Sequence, residues 1–62
     1  MDSKTILKRL QADGLEIVRT KGSHHQLSHP TKPGKVTVPH PKRDLPIGTV
    51  KNIEKQSGVK LL

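Results

Sequence analysis

The sequence contains no cysteine, phenylalanine, tyrosine or tryptophan. The lack of cysteine excludes disulfides and any zinc or iron–sulfur site held by thiolates. The lack of aromatic side chains leaves Leu, Ile and Val to form the core, and it excludes an RNA-binding surface that stacks bases on Phe, Tyr or Trp. No apolar run approaches the ~20 residues that span a bilayer, and the amphipathic N-terminus is not typical of a secretory signal. We therefore expect a soluble protein of the cytoplasm.

Acidic residues are missing from the middle of the chain. Asp and Glu are absent between Ile17 and Arg43, although this stretch holds all four histidines, and the net charge of the chain is +7. A basic stretch of this kind predicts a polyanionic partner, either nucleic acid or an acidic protein. The alternative is a solvated basic face that serves only solubility.

The length of the chain limits the kind of site that it can form. The 62 residues predict a single domain spanning residues 1–62. A domain of this size buries only about 60% of the surface that its unfolded chain exposes. There is no room for a deep substrate cavity, so any functional site should lie on the surface.

Capping and turn residues predict a helix near each end of the chain. Ser3 is the predicted N-cap of the first helix, and Gly14 can adopt the left-handed conformation that ends it. Pro46 fits the first turn of the second helix, where a missing N–H costs nothing. Ile47 begins the apolar stripe of this helix, and Gly58 marks its end.

Alternating residues between the helices predict three strands, over residues 15–20, 23–29 and 35–39. Lys21 and Gly22 predict a tight turn between the first two. The order helix, three strands, helix indicates an α+β fold, a two-layer sandwich with an antiparallel three-stranded sheet and both helices on one face. The other face of the sheet is open. This arrangement resembles the double-stranded-RNA-binding fold, although a fold alone does not establish a function.

Three of the four histidines lie in the stretch GSHHQLSH, residues 22–29. Side chains alternate across a strand, and Leu27 is the only large apolar residue of this one. If Leu27 faces the helices, then His25 faces them too and is a packed ring on the helix side of the sheet, behind any site on the open face. His24 then points to the open face. A register shift of one residue would reverse the two histidines.

The histidines and the basic residues are compatible with several functions, some of which they fit better than others. His25 and His29 would be about 13 Å apart along a strand, too far to share a zinc ion, so we expect no metal and no other cofactor. A non-catalytic RNA-binding module and a protein that only docks an acidic partner both fit the Lys and Arg residues. RNA cleavage fits best, because histidine ionises near neutral pH and can take a proton from a ribose 2′-OH. Lys and Arg would stabilise the charge that develops on phosphate.

Two long stretches of the sequence resemble the HicA toxins of bacterial type II toxin–antitoxin systems. They are GLEIVRTKGSHHQLSHP at residues 14–30 and GKVTVPHPKRDLPIGTVKNIEKQSGV at residues 34–59. The resemblance covers nearly the whole chain, and its combination of Gly-Ser-His, His-Pro, Val-Thr-Val-Pro-His-Pro and Gly-Thr-Val is more specific than any single motif. The one departure is Leu27, where members commonly carry an aromatic residue.

The resemblance implies a small endoribonuclease that cleaves mRNA without the ribosome and without a metal. The histidine of Gly-Ser-His, here His24, would be its catalytic residue. The resemblance also implies a double-stranded-RNA-binding-like fold and a HicB-type antitoxin partner. The antitoxin would cover the active face of the toxin and bind the DNA of the operon, so that the toxin would contact DNA only through the antitoxin.

Charge and turn geometry add residues that we expect to bind RNA. Basic side chains would hold phosphate, and the turn before His24 would present that ring and offer its N–H groups. The predicted RNA-binding residues are Lys21, Gly22, Ser23, Lys35, Lys42 and Arg43. The roles of His29 and His40 stay open in the sequence, and solvated side chains at the ends of loops are the favoured interpretation of both.

Overall fold

The computed structural model describes residues 1–62 and has the predicted order of elements. Helix α1 spans Ser3–Ala12 and helix α2 spans Ile47–Ser57. Strands β1 (Glu16–Lys21), β2 (His24–Ser28) and β3 (Lys35–Pro39) form an antiparallel sheet in the order β1-β2-β3. Both helices cover the same face of the sheet, which confirms the predicted two-layer α+β fold. Neither helix is long and apolar enough to cross a membrane.

The core lies between the helices and the inner face of the sheet. Leu27 is fully buried at the centre of this layer, opposite Ile17 on β1 and Val36 on β3. The aliphatic side chains that complete the core come from both helices, β3 and the segments outside the regular elements: Ile6, Leu7, Leu10, Leu15, Val38, Leu45, Val50, Ile53 and Leu61. Ile47 is 66% exposed, so its predicted place on the apolar stripe of α2 is wrong.

Helix α1 is capped one residue earlier than predicted. The Asp2 carboxylate, not Ser3, accepts the N–H of Thr5, at 3.0 Å. Hydrogen bonding from Thr5, through its side chain and its backbone N–H, holds the pKa of Asp2 below its ordinary value. Ser3 is instead the first residue of the helix and is buried. Its side chain is therefore available for contacts elsewhere in the fold.

Strand β1 contains a β-bulge at Val18. Ile17 lies opposite Leu27 and Arg19 lies opposite Gln26, so that Val18 is an extra residue without a partner on β2. A bulge shifts the alternation of side chains on its strand by one position. As a result Arg19 faces the open side of the sheet, together with Gln26.

His29 joins the loop after β2 to the end of α1. Its Nδ1 accepts the N–H groups of Thr31 and Lys32, at 3.1 and 3.2 Å, and its Nε2 lies 3.2 Å from the Asp13 carbonyl oxygen. Because Nδ1 accepts two hydrogen bonds, Nε2 carries the proton and donates to Asp13. His29 is thus hydrogen-bonded at both ring nitrogens, and the prediction of a solvated side chain is wrong.

Glu54 holds the chain that follows α2. Its Oε2 accepts the N–H groups of Leu61 and Leu62, at 2.6 and 2.8 Å. The hydrogen bond from Leu62 and then that from Leu61 lower the pKa of Glu54 below its ordinary value of 4.5. This clamp keeps Leu61 in the core, whereas Leu62 is largely exposed.

Replacing Gly14 should cost more stability than replacing Gly34. Both glycines have positive φ, 103° and 89°, and alanine pays about 1–2 kcal/mol in such a conformation. A Cβ at Gly14 would also lie 3.1 Å from His29 Nε2, whereas a Cβ at Gly34 meets nothing within 4 Å. Urea denaturation should therefore give a lower midpoint for Gly14→Ala than for Gly34→Ala. Equal midpoints would show that the His29 contact adds nothing.

The Glu54 clamp should make the stability of the fold depend on pH. Because the pKa of Glu54 is lower in the folded state, its contribution is complete above pH 4.5 and is lost as the pH falls through the folded-state pKa. Glu54→Gln should be less stable than the parent at pH 7 and should lose less stability on acidification. Chemical denaturation from pH 7 to pH 3 measures both slopes, and parallel slopes would contradict the assignment.

Candidate active site

The motif histidine follows a tight turn at the end of the sheet. Gly22 and Ser23 connect β1 to β2, one residue later than predicted, and Gly22 has a φ of 57°, which favours glycine. His24 is the first residue of β2 and lies between Lys21 on β1 and Pro39 on β3. It is exposed and points to the open face, opposite to Leu27. His24 therefore lies on the face of the sheet that was predicted for it.

An open concavity of about 640 Å³ lies on this face, and His24 is part of its wall. Arg19 and Lys21 bring two positive charges to it, and no carboxylate lines it. The seven lining residues are Arg19, Lys21, Gly22, Ser23, His24, Gln26 and Thr37. A shallow basic surface with one imidazole suits a phosphodiester backbone better than it suits a small apolar ligand.

His25 lies behind this surface, on the helix side of the sheet. It is half-buried, and its ring packs edge-on against the ring of His40, with centroids 4.9 Å apart and an interplanar angle of 86°. Its Nδ1 is buried without a hydrogen-bond partner. His25 is therefore a packed ring that does not reach the concavity.

His40 connects the histidine turn to helix α1. Its backbone N–H donates to the Ser23 carbonyl oxygen at 2.7 Å, and its Nδ1 lies 2.7 Å from Ser3 Oγ. The residue before the catalytic candidate, Ser23, is thus held by a residue whose ring is itself fixed. His40 is not a solvated loop residue, contrary to the prediction.

Ser3 is the centre of this connection. Its Oγ accepts the N–H of Lys42 at 2.9 Å and lies 3.2 Å from the Lys42 carbonyl oxygen. Its backbone N–H donates to the same carbonyl oxygen at 2.9 Å. The side chain is only 1% exposed, so these polar groups have no access to water as a substitute partner. One small hydroxyl therefore fixes the segment that follows β3.

The structure brings only some of the predicted RNA-binding residues together. Lys21, Gly22 and Ser23 line the concavity with His24, whereas Lys35 lies at the other end of β3, about 13 Å along the strand from Pro39, which is opposite His24. Lys42 and Arg43 line a second concavity of about 440 Å³. Its seven lining residues are Asp2, Ser3, Lys4, His40, Pro41, Lys42 and Arg43.

Three residues of the concavity were missed from the sequence. Gln26 and Thr37 lie opposite each other on β2 and β3, on the outer face, and strand alternation could have identified both. Arg19 reaches this face only because of the bulge at Val18. No group of three or more His, Cys, Asp or Glu side chains is arranged to hold a metal ion.

Removing the Ser3 hydroxyl should weaken the fold and release the ring of His40. In Ser3→Ala the Lys42 N–H loses its acceptor in a partly buried position, which costs about 1 kcal/mol or more. Thermal unfolding should show the loss, and the imidazole resonances of His40 in NMR spectra should shift while those of His29 stay unchanged. Unchanged His40 resonances would contradict the proposed connection.

Comparison with known proteins agrees with this geometry. The family model of the HicA toxin of bacterial toxin–antitoxin systems matches residues 3–59. A solved structure described as the HicA3 and HicB3 toxin–antitoxin complex contains a chain that is 32% identical, with 100% of both chains covered and a TM-score of 0.80. A search of curated proteins finds no match. With nearly its whole length matched in sequence and in fold, the chain belongs to the HicA toxin family.

Proposed function

We propose that this toxin is an endoribonuclease that cleaves mRNA in the cytoplasm, needs no metal, and uses His24 as its general base. The observation that carries the proposal is the position of His24. This histidine of the Gly-Ser-His motif is exposed in the wall of a basic concavity. A phosphodiester chain lying in that concavity would place its ribose against the one imidazole there.

The chemistry requires a proton to leave the ribose 2′-OH. His24 takes this proton, the 2′ oxygen attacks the adjacent phosphorus, and the bond from phosphorus to the 5′ oxygen breaks. The 5′ oxygen takes up a proton from water, and His24 returns its own proton to water. The products are a 2′,3′-cyclic phosphate and a free 5′-OH, so that atoms and charge balance.

Positive charge supports this step. Arg19 and Lys21 line the same concavity and would stabilise the additional negative charge on the phosphate oxygens. Gly22 and Ser23 would offer backbone N–H groups to the same oxygens. Lys35 would bind phosphates farther along the RNA, as would Lys42 and Arg43 in the second concavity.

The proposed partner is a HicB-type antitoxin. The related chain of the HicA3 and HicB3 complex was solved with its antitoxin, and it has the same fold over the full length of this chain. An antitoxin that occupies the outer face of the sheet would block access of RNA to His24. Any contact with operator DNA would then be made through the antitoxin.

A second function is favoured by one feature of the concavity. His24 is its only His, Asp or Glu residue, so no second imidazole or carboxyl group is present to act as a general acid. A module that binds RNA without cleaving it would need only the basic residues. Such a module predicts salt-dependent RNA binding and intact RNA after long incubation.

Replacing His24 should abolish cleavage without unfolding the protein. Loss of a general base lowers a rate by about 10²–10⁴-fold, so His24→Ala should leave a defined RNA intact on the time scale of parent cleavage. The assay contains EDTA, so that activity of the parent also tests independence from metal. An RNA with a single 2′-deoxy substitution at the cleaved position should resist the parent protein.

His29→Ala is the matched control, because it removes an imidazole that lies outside the concavity. It should retain cleavage at a temperature at which circular dichroism shows a folded protein. Full activity of folded His24→Ala would remove His24 from the mechanism. An inactive parent that still binds RNA would establish the second function instead.

A further inference from the structure

Strand β1 carries the only two neighbouring large hydrophobic residues that are exposed. Ile17 is 40% exposed and Val18 is 51% exposed. The other exposed large hydrophobic residues, Ile47 and Leu62, are separate from them in the chain. Isolated exposed aliphatic residues are common on soluble proteins, but an adjacent pair marks a surface that a partner can cover. We refer to Ile17 and Val18 as the β1 patch.

The packing of the helices leaves the β1 patch uncovered. Both helices pack mainly against β3, at the opposite edge of the sheet, and every residue of β1 is exposed. β1 pairs only with β2, so its outer edge is free. Ile17 therefore lies beside the buried Leu27 of β2 but keeps much of its side chain in water.

Side chains rather than backbone groups should recognise the partner at this edge. The bulge at Val18 interrupts the regular run of backbone donors and acceptors that an added strand would need. Bulges and charged residues are devices that prevent strands from adding to a sheet edge. The patch thus offers an apolar centre beside the charges of Arg19 and Lys21, the usual layout of a protein interface.

The area of a stable interface links the β1 patch to the active site. A standard interface takes about 800 Å² from each partner, which is roughly a fifth of this protein's 4259 Å² surface. Two side chains supply only a small part of that area. Ile17 lies on the helix side of the sheet, opposite Leu27, whereas Arg19 and Lys21 line the concavity of His24 on the open side. A partner of that size centred on the patch therefore passes around the free edge of β1 and reaches Arg19, which follows Val18 directly.

The charge of the surroundings selects the occupant. A second copy of this chain would bring a net charge of +7 against another +7, which opposes association. RNA gains nothing from aliphatic side chains, which offer neither charge nor a stacking plane. A protein that combines acidic and apolar side chains is complementary to both the patch and its cationic neighbours.

We propose that the β1 patch is the anchor for the HicB-type antitoxin, whose acidic side chains then pair with Arg19 and Lys21 and close the His24 concavity. The inference rests on the proposed antitoxin partner. The apolar anchor is separate from the RNA-binding residues. Substitutions in it should therefore free the toxin from inhibition while leaving its action on RNA intact.

The test compares Ile17→Thr/Val18→Thr with Ile47→Thr. Threonine is β-branched and suits a strand, and Ile47 is an exposed isoleucine away from the sheet. Isothermal titration with the HicB-type antitoxin of the same organism should show at least about tenfold weaker binding for the double variant and parent affinity for Ile47→Thr. Val18→Asp alone, at the more exposed of the two positions, provides a second variant should the double variant fold poorly. RNA cleavage by all variants should stay within about twofold of the parent.

Each outcome decides between the inference and the function on which it rests. The β1 anchor would be overturned if the double variant and Val18→Asp both bound the antitoxin with parent affinity. A loss of affinity confined to Ile47→Thr would overturn it too. Either result would leave the antitoxin partner in place. An equal loss of cleavage and antitoxin binding would show that the patch belongs to the RNA surface. Absence of binding by the parent would refute the proposed partner itself, and a parent that dimerises in sedimentation through this patch would identify a second copy as the occupant.

Discussion

The burial of Leu27 determines the face of the sheet on which each histidine of β2 lies. This residue is fully enclosed between the sheet and the helices, and side chains alternate along a strand. His25 is therefore directed toward the core, and His24 is directed away from it. A slip of one residue would expose Leu27 and forfeit about 1.5–3 kcal/mol of burial free energy, a large share for a small core without aromatic residues. The orientation of the proposed catalytic ring is thus maintained by packing on the opposite face.

A second constraint fixes the turn that precedes the ring. Ser3, at the start of α1, holds the imidazole of His40, and the backbone of His40 holds the carbonyl of Ser23. The three residues belong to the first helix, the segment after β3 and the β1–β2 turn, so that no single element positions His24. This arrangement explains how a domain of such limited size presents a defined surface without a disulfide to stiffen it. The ring of His40 thus has a polar role through Ser3 and also packs against the ring of His25.

The parts of the fold that depend on local pattern could be predicted from sequence, and the parts that depend on distant contacts could not. The order of elements follows from periodicity and turn residues, and β3 has its predicted bounds because proline and glycine delimit it. The bulge at Val18 has no local signal, and an unbroken alternation from Ile17 would turn Arg19 toward the helices. Capping rules favoured Ser3 because serine is a common N-cap, but its partner His40 is 37 residues away. Arg19 was therefore missed because its position depends on tertiary structure, whereas Gln26 and Thr37 follow from strand alternation.

The contacts of the other three histidines strengthen the assignment of His24. His29 uses both ring nitrogens in a loop, His40 uses Nδ1 to bind Ser3, and His25 has Nδ1 buried in the packed layer. Each of these three rings makes a contact within the fold, and none of them lines the concavity of His24. The ring of His24 makes no hydrogen bond within the protein, and it lies in the wall of an open, cationic surface. Of the two imidazoles that line a basic concavity, His24 has a ring without a hydrogen bond, whereas the ring of His40 is bound to Ser3, and this physical distinction is independent of the motif in which His24 occurs.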